Sequence, residues 1–204
     1  MTRASMIVEH WRRLDGAVHP DDRPIFESHP HSFNLDFPPP AYLGDIENAP
    51  FVVLMMNGGY DASDTPMEFS GAGAVDAYLD RLHNPRPADL ETLAPYYARP
   101  NYAQHLVRAR LALVNAIAYR SGKLSEEPEN KHLAQRLPST LLHIQWLRDE
   151  LLPSATERER VIIAHRNGMW NLRHNDREHS NMIVTGSGAS PHLPRYVLDR
   201  LEGV

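Results

Sequence analysis

The residues best placed to do chemistry are two asparagines that interrupt apolar runs. Asn57 closes the run Phe51 to Met56 and is followed by Gly58, Gly59, Tyr60 and Asp61. Asn115 sits within Ala112-Leu-Val-Asn-Ala-Ile-Ala118, ahead of Tyr119-Arg-Ser121. An amide offers both a donor and an acceptor, so it can orient a water or read the edge of a heterocycle. When buried it needs partners. The two glycines after Asn57 let the chain turn sharply and bring backbone N–H groups close to a ligand. The same stretch would also serve as a plain strand-to-loop turn in which Asn57 tolerates an unusual backbone conformation.

Other chemistries lack their residues. The chain has no cysteine, which removes disulfides, thiolate metal sites and cysteine nucleophiles. His29 and His31 have no third ligand at metal spacing and read as surface histidines, so neither a metal nor a cofactor is expected. There is no Walker-type lysine loop and no GxGxxG, and Gly186-Ser-Gly-Ala-Ser190 lacks the pattern of a hydrolase nucleophile turn.

The elements that must position the asparagines follow from periodicity. Apolar runs at 51–56, 112–118, 160–164 and 182–185 read as strands, the first buried on both faces. Helical spacing marks 5–14, 72–83, 88–94, 104–112 and 139–152, the last ended by Pro153. Residues 19–40 read as an extended segment pinned by Phe26, Phe33, Leu35 and Phe37, with Pro38-Pro-Pro40 as a stiff lead-in to the first strand. Residues 124–132 and 165–180 read as loops, with Trp170 as the anchor of the second. Tyr96, Tyr97 and Tyr102 read as core. Strands separated by helices or long loops predict an α/β protein with a mostly parallel sheet of about four strands. In such a sheet the strands' carboxyl ends share one rim, where ligands bind. Here that rim would gather Asn57 to Tyr60, Asn115 with Tyr119 to Ser121, His165-Arg166, and Gly186 to His192.

Composition sets the frame. A chain of 204 residues suits one domain, and 42% hydrophobic with 23% charged residues is that of a globular protein. No apolar run approaches the roughly 18 residues that cross a bilayer. The N-terminus turns amphipathic at once, unlike a signal peptide, which predicts a cytoplasmic protein without a membrane partner, monomeric by default. A net charge of −5 argues against indiscriminate coating of nucleic acid but permits a local basic groove.

This order of elements resembles the uracil-DNA glycosylase superfamily over roughly residues 38–198, with residues 1–37 an extension of unassigned role. Val52-Val-Leu-Met-Met-Asn-Gly-Gly-Tyr60 is similar to the family's first motif, with Asn57 where the attacking water is oriented and Gly58 in place of the usual proline. Leu113-Val-Asn115 is similar to the middle strand, whose asparagine reads the flipped base. Phe69, twelve residues past Asn57, falls where a base-stacking aromatic is expected. Val184-Thr-Gly-Ser-Gly-Ala-Ser-Pro-His192 is similar to the last motif, although the histidine that stabilises the leaving base comes late, as His192. The resemblance implies a three-layer α/β/α sandwich and binding, with excision where catalysis is retained, of a uracil-like or deaminated base in single- or double-stranded DNA. Asn57 and His192 would be catalytic. Gly58, Gly59, Tyr60, Phe69, Asn115, Ser187 and Ser190 would hold substrate, and Arg120, Lys123, Arg166 and Arg195 would contact DNA. The alternative is a non-catalytic module that uses the same rim for a nucleotide, a nucleic acid or a protein.

Overall fold

The computed structural model describes residues 5–90, 93–185 and 191–203. Its elements run α1 (Met6–Trp11), α2 (Arg23–Ser28), β1 (Tyr42–Leu43), β2 (Phe51–Gly59), α3 (Asp64–Glu68), α4 (Ala74–His83), α5 (Pro95–Ala98), α6 (Ala103–Val107) and β3 (Leu111–Ser121). After a 3-10 turn, Leu124–Glu126, come α7 (Pro128–Ala134), α8 (Pro138–Trp146), a π turn (Leu147–Leu151), α9 (Leu152–Thr156), β4 (Val161–Ala164), α10 (His174–Arg177), β5 (Met182–Val184) and α11 (Arg195–Glu202).

The five strands form one mixed sheet in the order β1-β3-β2-β4-β5. The last four run parallel and β1 pairs antiparallel with β3. The expected strands are all present. The fifth, β1, spans two residues, too few to carry a periodicity. The sheet is buried on both sides, which explains its uninterrupted apolar runs. Phe51, Val53, Met55, Leu111, Leu113 and Ile163 pack with Tyr97, Tyr102, Leu106, Val197 and Leu201. The alternate residues Val52, Leu54, Ala112, Val114 and Ile162 pack with Ile7, Trp11, Trp146 and Leu147.

Several boundaries differ from expectation. The helix begun at Pro138 does not stop at Pro153. A π turn precedes it, and Pro153 lies in the first turn of α9, where its missing N–H leaves no gap in the ladder. The helix expected at 88–94 is absent from the described part of that span, where the Ala88 N–H instead reaches the Leu106 carbonyl at 3.2 Å. Short helices occupy parts of the segments read as extended or loop, namely α2, α7 and α10. The Pro-rich lead-in runs along the outer edge of β3. The Asn34 N–H donates to the Arg120 carbonyl (2.9 Å) and the Asn115 N–H to the Ala41 carbonyl (3.0 Å). No helix among the described residues is long and apolar enough to cross a membrane.

Candidate functional site

Strand β2 runs past its apolar stretch, through Asn57 to Gly59. There its register with β3 slips: Asn57 pairs with Ile117 but Gly59 pairs with Ser121, so β3 accommodates two extra residues. The slip carries Ser121 beside Asn57. Asn57 Nδ2 donates to Ser121 Oγ and to the Gly58 carbonyl, each at 2.9 Å.

Both side chains line a cleft of about 490 Å3 at the carboxyl ends of the central strands. Gly59 and Tyr60 follow β2 into it, Ser121 to Glu126 follow β3, and Arg166 follows β4, with Pro191 beyond. Asp61, Asp64, Thr65 and Glu68 from α3 and its approach, together with Tyr96 and Arg99, complete the walls.

The charges of the cleft are largely matched. Arg120 and Glu68 form a buried pair at 3.1 Å, Arg99 meets Asp64 at 3.0 Å, and Lys123 meets Glu126 at 3.3 Å. Burial pushes the Glu68 carboxyl up, against the pull of the Arg120 guanidinium. Asp61 accepts from the Ser63 hydroxyl and from the backbone N–H groups of Ser63 and Asp64, which hold its carboxyl down at about 2. Among the described residues Arg166 meets no carboxylate; it donates to the Tyr96 hydroxyl at 3.2 Å. Its φ of +52° is the left-handed conformation that side-chain-bearing residues seldom adopt. Next to it, His165 turns inward to the Thr185 hydroxyl (2.7 Å).

Of the expected site residues, Asn57, Gly59, Tyr60, Arg120, Lys123 and Arg166 come together in this cleft. Others do not. Asn115, expected to face Asn57 across the pocket, is 1% exposed and does not line the cleft. Its Nδ2 donates to the Pro40 carbonyl (2.5 Å) and reaches the Tyr97 hydroxyl (3.4 Å), so the lead-in segment closes over it. Phe69, expected to stack on a base, is stacked on Phe37 (5.2 Å), with the Arg120 guanidinium 5.5 Å from its ring centre. His192 lies outside the cleft lining and accepts the Asn101 N–H through Nδ1 (3.2 Å). Arg195 opens α11, paired with Asp199 at 2.8 Å, also outside the lining. Gly58 packs under Pro40. Ser187 and Ser190 lie outside the described residues.

Sequence reasoning missed Asp64, Thr65, Glu68, Tyr96 and Arg99 as cleft residues. Tyr96 sits in an aromatic cluster that reads as core, and Asp64, Thr65 and Glu68 sit in a polar stretch that reads as loop.

A second polar cluster lies in the N-terminal region, where His10, His19 and Asp22 are buried together. The two imidazoles stack 3.7 Å apart at 19°, so their in-plane lone pairs run past one another instead of converging as metal ligands must. Asp22 already accepts from the Tyr119 hydroxyl (2.7 Å) and the Ser139 N–H (3.0 Å). This cluster therefore ties α1 and its following loop to β3 and α8.

Comparison with known proteins gives no matching family model, no matching curated protein and no matching solved structure.

Proposed function

We propose that this chain is a uracil-DNA glycosylase-like protein whose cleft receives a flipped uracil-like or deaminated base of DNA. The observation that carries the reading is the convergence of the loops after β2, β3 and β4 on one cleft with Asn57 in its wall. A base cannot be attacked while stacked in a duplex, so it must be extruded into a pocket that reads its edge. Tyr60 and Tyr96 supply aromatic surface there, and Arg166 supplies a cation for phosphate. Asn57 positions the attacking water. Hydrolysis passes through an oxocarbenium-like sugar, and an amide cannot offer it the negative charge a carboxylate would, so turnover is slow.

The enclosure of Asn115 favours a second reading, in which the cleft binds a nucleotide or nucleic-acid end without cutting it. One experiment separates the two. Oligonucleotides carrying uracil, hypoxanthine or xanthine, single-stranded and duplex, are incubated with the protein, treated with alkali and examined for breaks. Breaks that vanish in Asn57→Ala support excision. Binding without breaks on every substrate supports the module, and the absence of both removes the nucleic-acid reading.

A further inference from the structure

Among the described residues of the cleft, Arg166 is the cation that meets no carboxylate, and its guanidinium Nη1 lies 3.2 Å from the Tyr96 hydroxyl. We propose that this guanidinium and this hydroxyl form one anion site for a phosphomonoester, so that the cleft takes a nucleotide bearing a terminal phosphate in preference to one inside a strand. The inference rests on the base-binding reading of the cleft and names the form in which the nucleotide arrives.

Both residues line the cleft and both are half-buried, so a ligand can reach them. The Tyr96 hydroxyl accepts from Nη1, and no described residue accepts its own hydrogen. The guanidinium gives one N–H to that contact and keeps the rest of its fork for a ligand. A phenolic O–H beside a guanidinium suits an anionic oxygen, whereas a neutral carbonyl would leave the charge unmatched. A phosphomonoester brings three acceptor oxygens and a charge of about −2. A phosphodiester brings fewer free oxygens and less charge.

The pair is held in place by its surroundings. The His165 N–H donates to the Leu54 carbonyl (3.0 Å), His165 Nδ1 meets the Thr185 hydroxyl (2.7 Å), and Asn167 Nδ2 donates to the Ala164 carbonyl (2.9 Å). These contacts fix both neighbours of Arg166 and keep it at φ +52°, a conformation that glycine adopts at less cost. Tyr96 is set against the end of β2, where a Cβ on Gly59 would stand 3.1 Å from its ring. The ring also meets Tyr97 edge-on, with centres 4.9 Å apart. The rest of the cleft disfavours a longer anion. Its other cations are matched to carboxylates, and Asp61, held ionised by the Ser63 hydroxyl and nearby N–H groups, has no ion pair among the described residues. One phosphate finds one cation, and further phosphates of a strand would meet matched charges and the Asp61 carboxylate.

Calorimetry on the full chain tests this with deoxyuridine, its 5′-monophosphate and the methyl ester of that monophosphate. The monophosphate is expected to bind about ten-fold more tightly than deoxyuridine, and the methyl ester about three-fold more weakly than the monophosphate. The gain from the phosphate should vanish in Arg166→Gln and shrink about three-fold in Tyr96→Phe, which keeps the ring. Arg166→Gly should lose the gain without lowering the thermal midpoint, since glycine accepts that backbone conformation. A lowered midpoint with the gain intact would mark Arg166 as structural and overturn the proposal. So would equal affinity of the monophosphate with deoxyuridine or with the methyl ester, either of which leaves the base-binding reading standing. If neither deoxyuridine nor its monophosphate binds, the base-binding reading fails and takes this inference with it. Two oligonucleotides that begin with deoxyuridine, with and without a 5′-phosphate, identify the source. Tighter binding of the phosphorylated one points to a strand end, and equal binding beside a gain for the mononucleotide points to a free nucleotide.

Discussion

Arg120 and Glu68 meet at 3.1 Å with almost no access to water, joining the end of β3 to α3 beneath the floor of the cleft. The guanidinium also reaches toward the Pro38 and Gly59 carbonyls and lies over Phe69. Arg120, expected as a phosphate contact, is thus committed to the protein itself.

Glu68→Gln is accordingly expected to destabilise the fold by about 3–5 kcal/mol, because it leaves a buried guanidinium without its counter-charge. Replacing both partners by apolar residues of similar volume should be much milder. Denaturant midpoints of the two variants make the comparison, and equal losses would show that the charge pairing is unimportant.

Gly58→Ala is expected to lose about 1–3 kcal/mol through overpacking. A Cβ at Gly58 would stand 2.2 Å from Pro40 Cγ, in a proline run with little freedom to yield. The same loop carbonyl binds Asn115, so Pro40 both fills the space beside Gly58 and closes Asn115 off. Pro40→Ala combined with Gly58→Ala should cost less than the sum of the single changes, measurable as a double-mutant cycle. Strict additivity would mean that the two positions do not touch.

Acid should unfold the protein through its buried histidines. Burial, reinforced by His19 and His143, lowers His10 to about 3, and burial lowers His143 to about 4; His19 is lowered for the same reason. Asp21 pulls His10 and His19 the other way, and Arg13 adds to the lowering. In the unfolded chain these groups take up protons near 6.5. The unfolded state therefore binds more protons as the pH falls from about 6.5 toward 4 and then 3. Their contribution is complete above about 6.5 and is lost below it, at about 1.4 kcal/mol per pH unit for each histidine fully engaged. Asp22, raised by burial, takes its proton earlier in the fold and opposes the loss at the acid end. Urea midpoints between pH 7.5 and 4.5 should fall, and His10→Phe should flatten the slope; a midpoint independent of pH over that range would contradict the assignment.

Binding of a uracil-containing single strand should depend on salt only weakly. Three of the cleft's cations are paired with carboxylates, and Arg166 has none among the described residues. Arg166→Gln should reduce the log–log salt slope by about one, and Arg195→Gln should leave it unchanged. An undiminished slope in Arg166→Gln would remove Arg166 from the phosphate contacts.

Strands β2 to β5 were legible because each is an apolar stretch bounded by turn residues, and in β2 and β3 burial on both faces leaves no alternation to confuse the reading. The convergence of Asn57, Arg120 and Arg166 followed from parallel topology alone. Direction was not legible. Asn115 has apolar neighbours on both sides, and nothing in their order says that its amide meets Pro40 and Tyr97 instead of a ligand. The spacing of Phe69 from Asn57 likewise says nothing about Phe37, which comes from far upstream and covers the ring. The Glu68–Arg120 pair was invisible because Arg120 reads as a phosphate contact and Glu68 as part of a polar loop until the fold brings them together.

The lead-in segment along β3 also bears on self-assembly. β3 is the longest strand, buried at every position, and a naked edge on it would template addition of a second chain. Residues 34–43 occupy that edge, and Pro38, Pro39 and Pro40 have no N–H to hand the ladder onward. Strand addition directly onto β3 is therefore disfavoured, and among the described residues the three-residue strand β5 forms the opposite margin of the sheet.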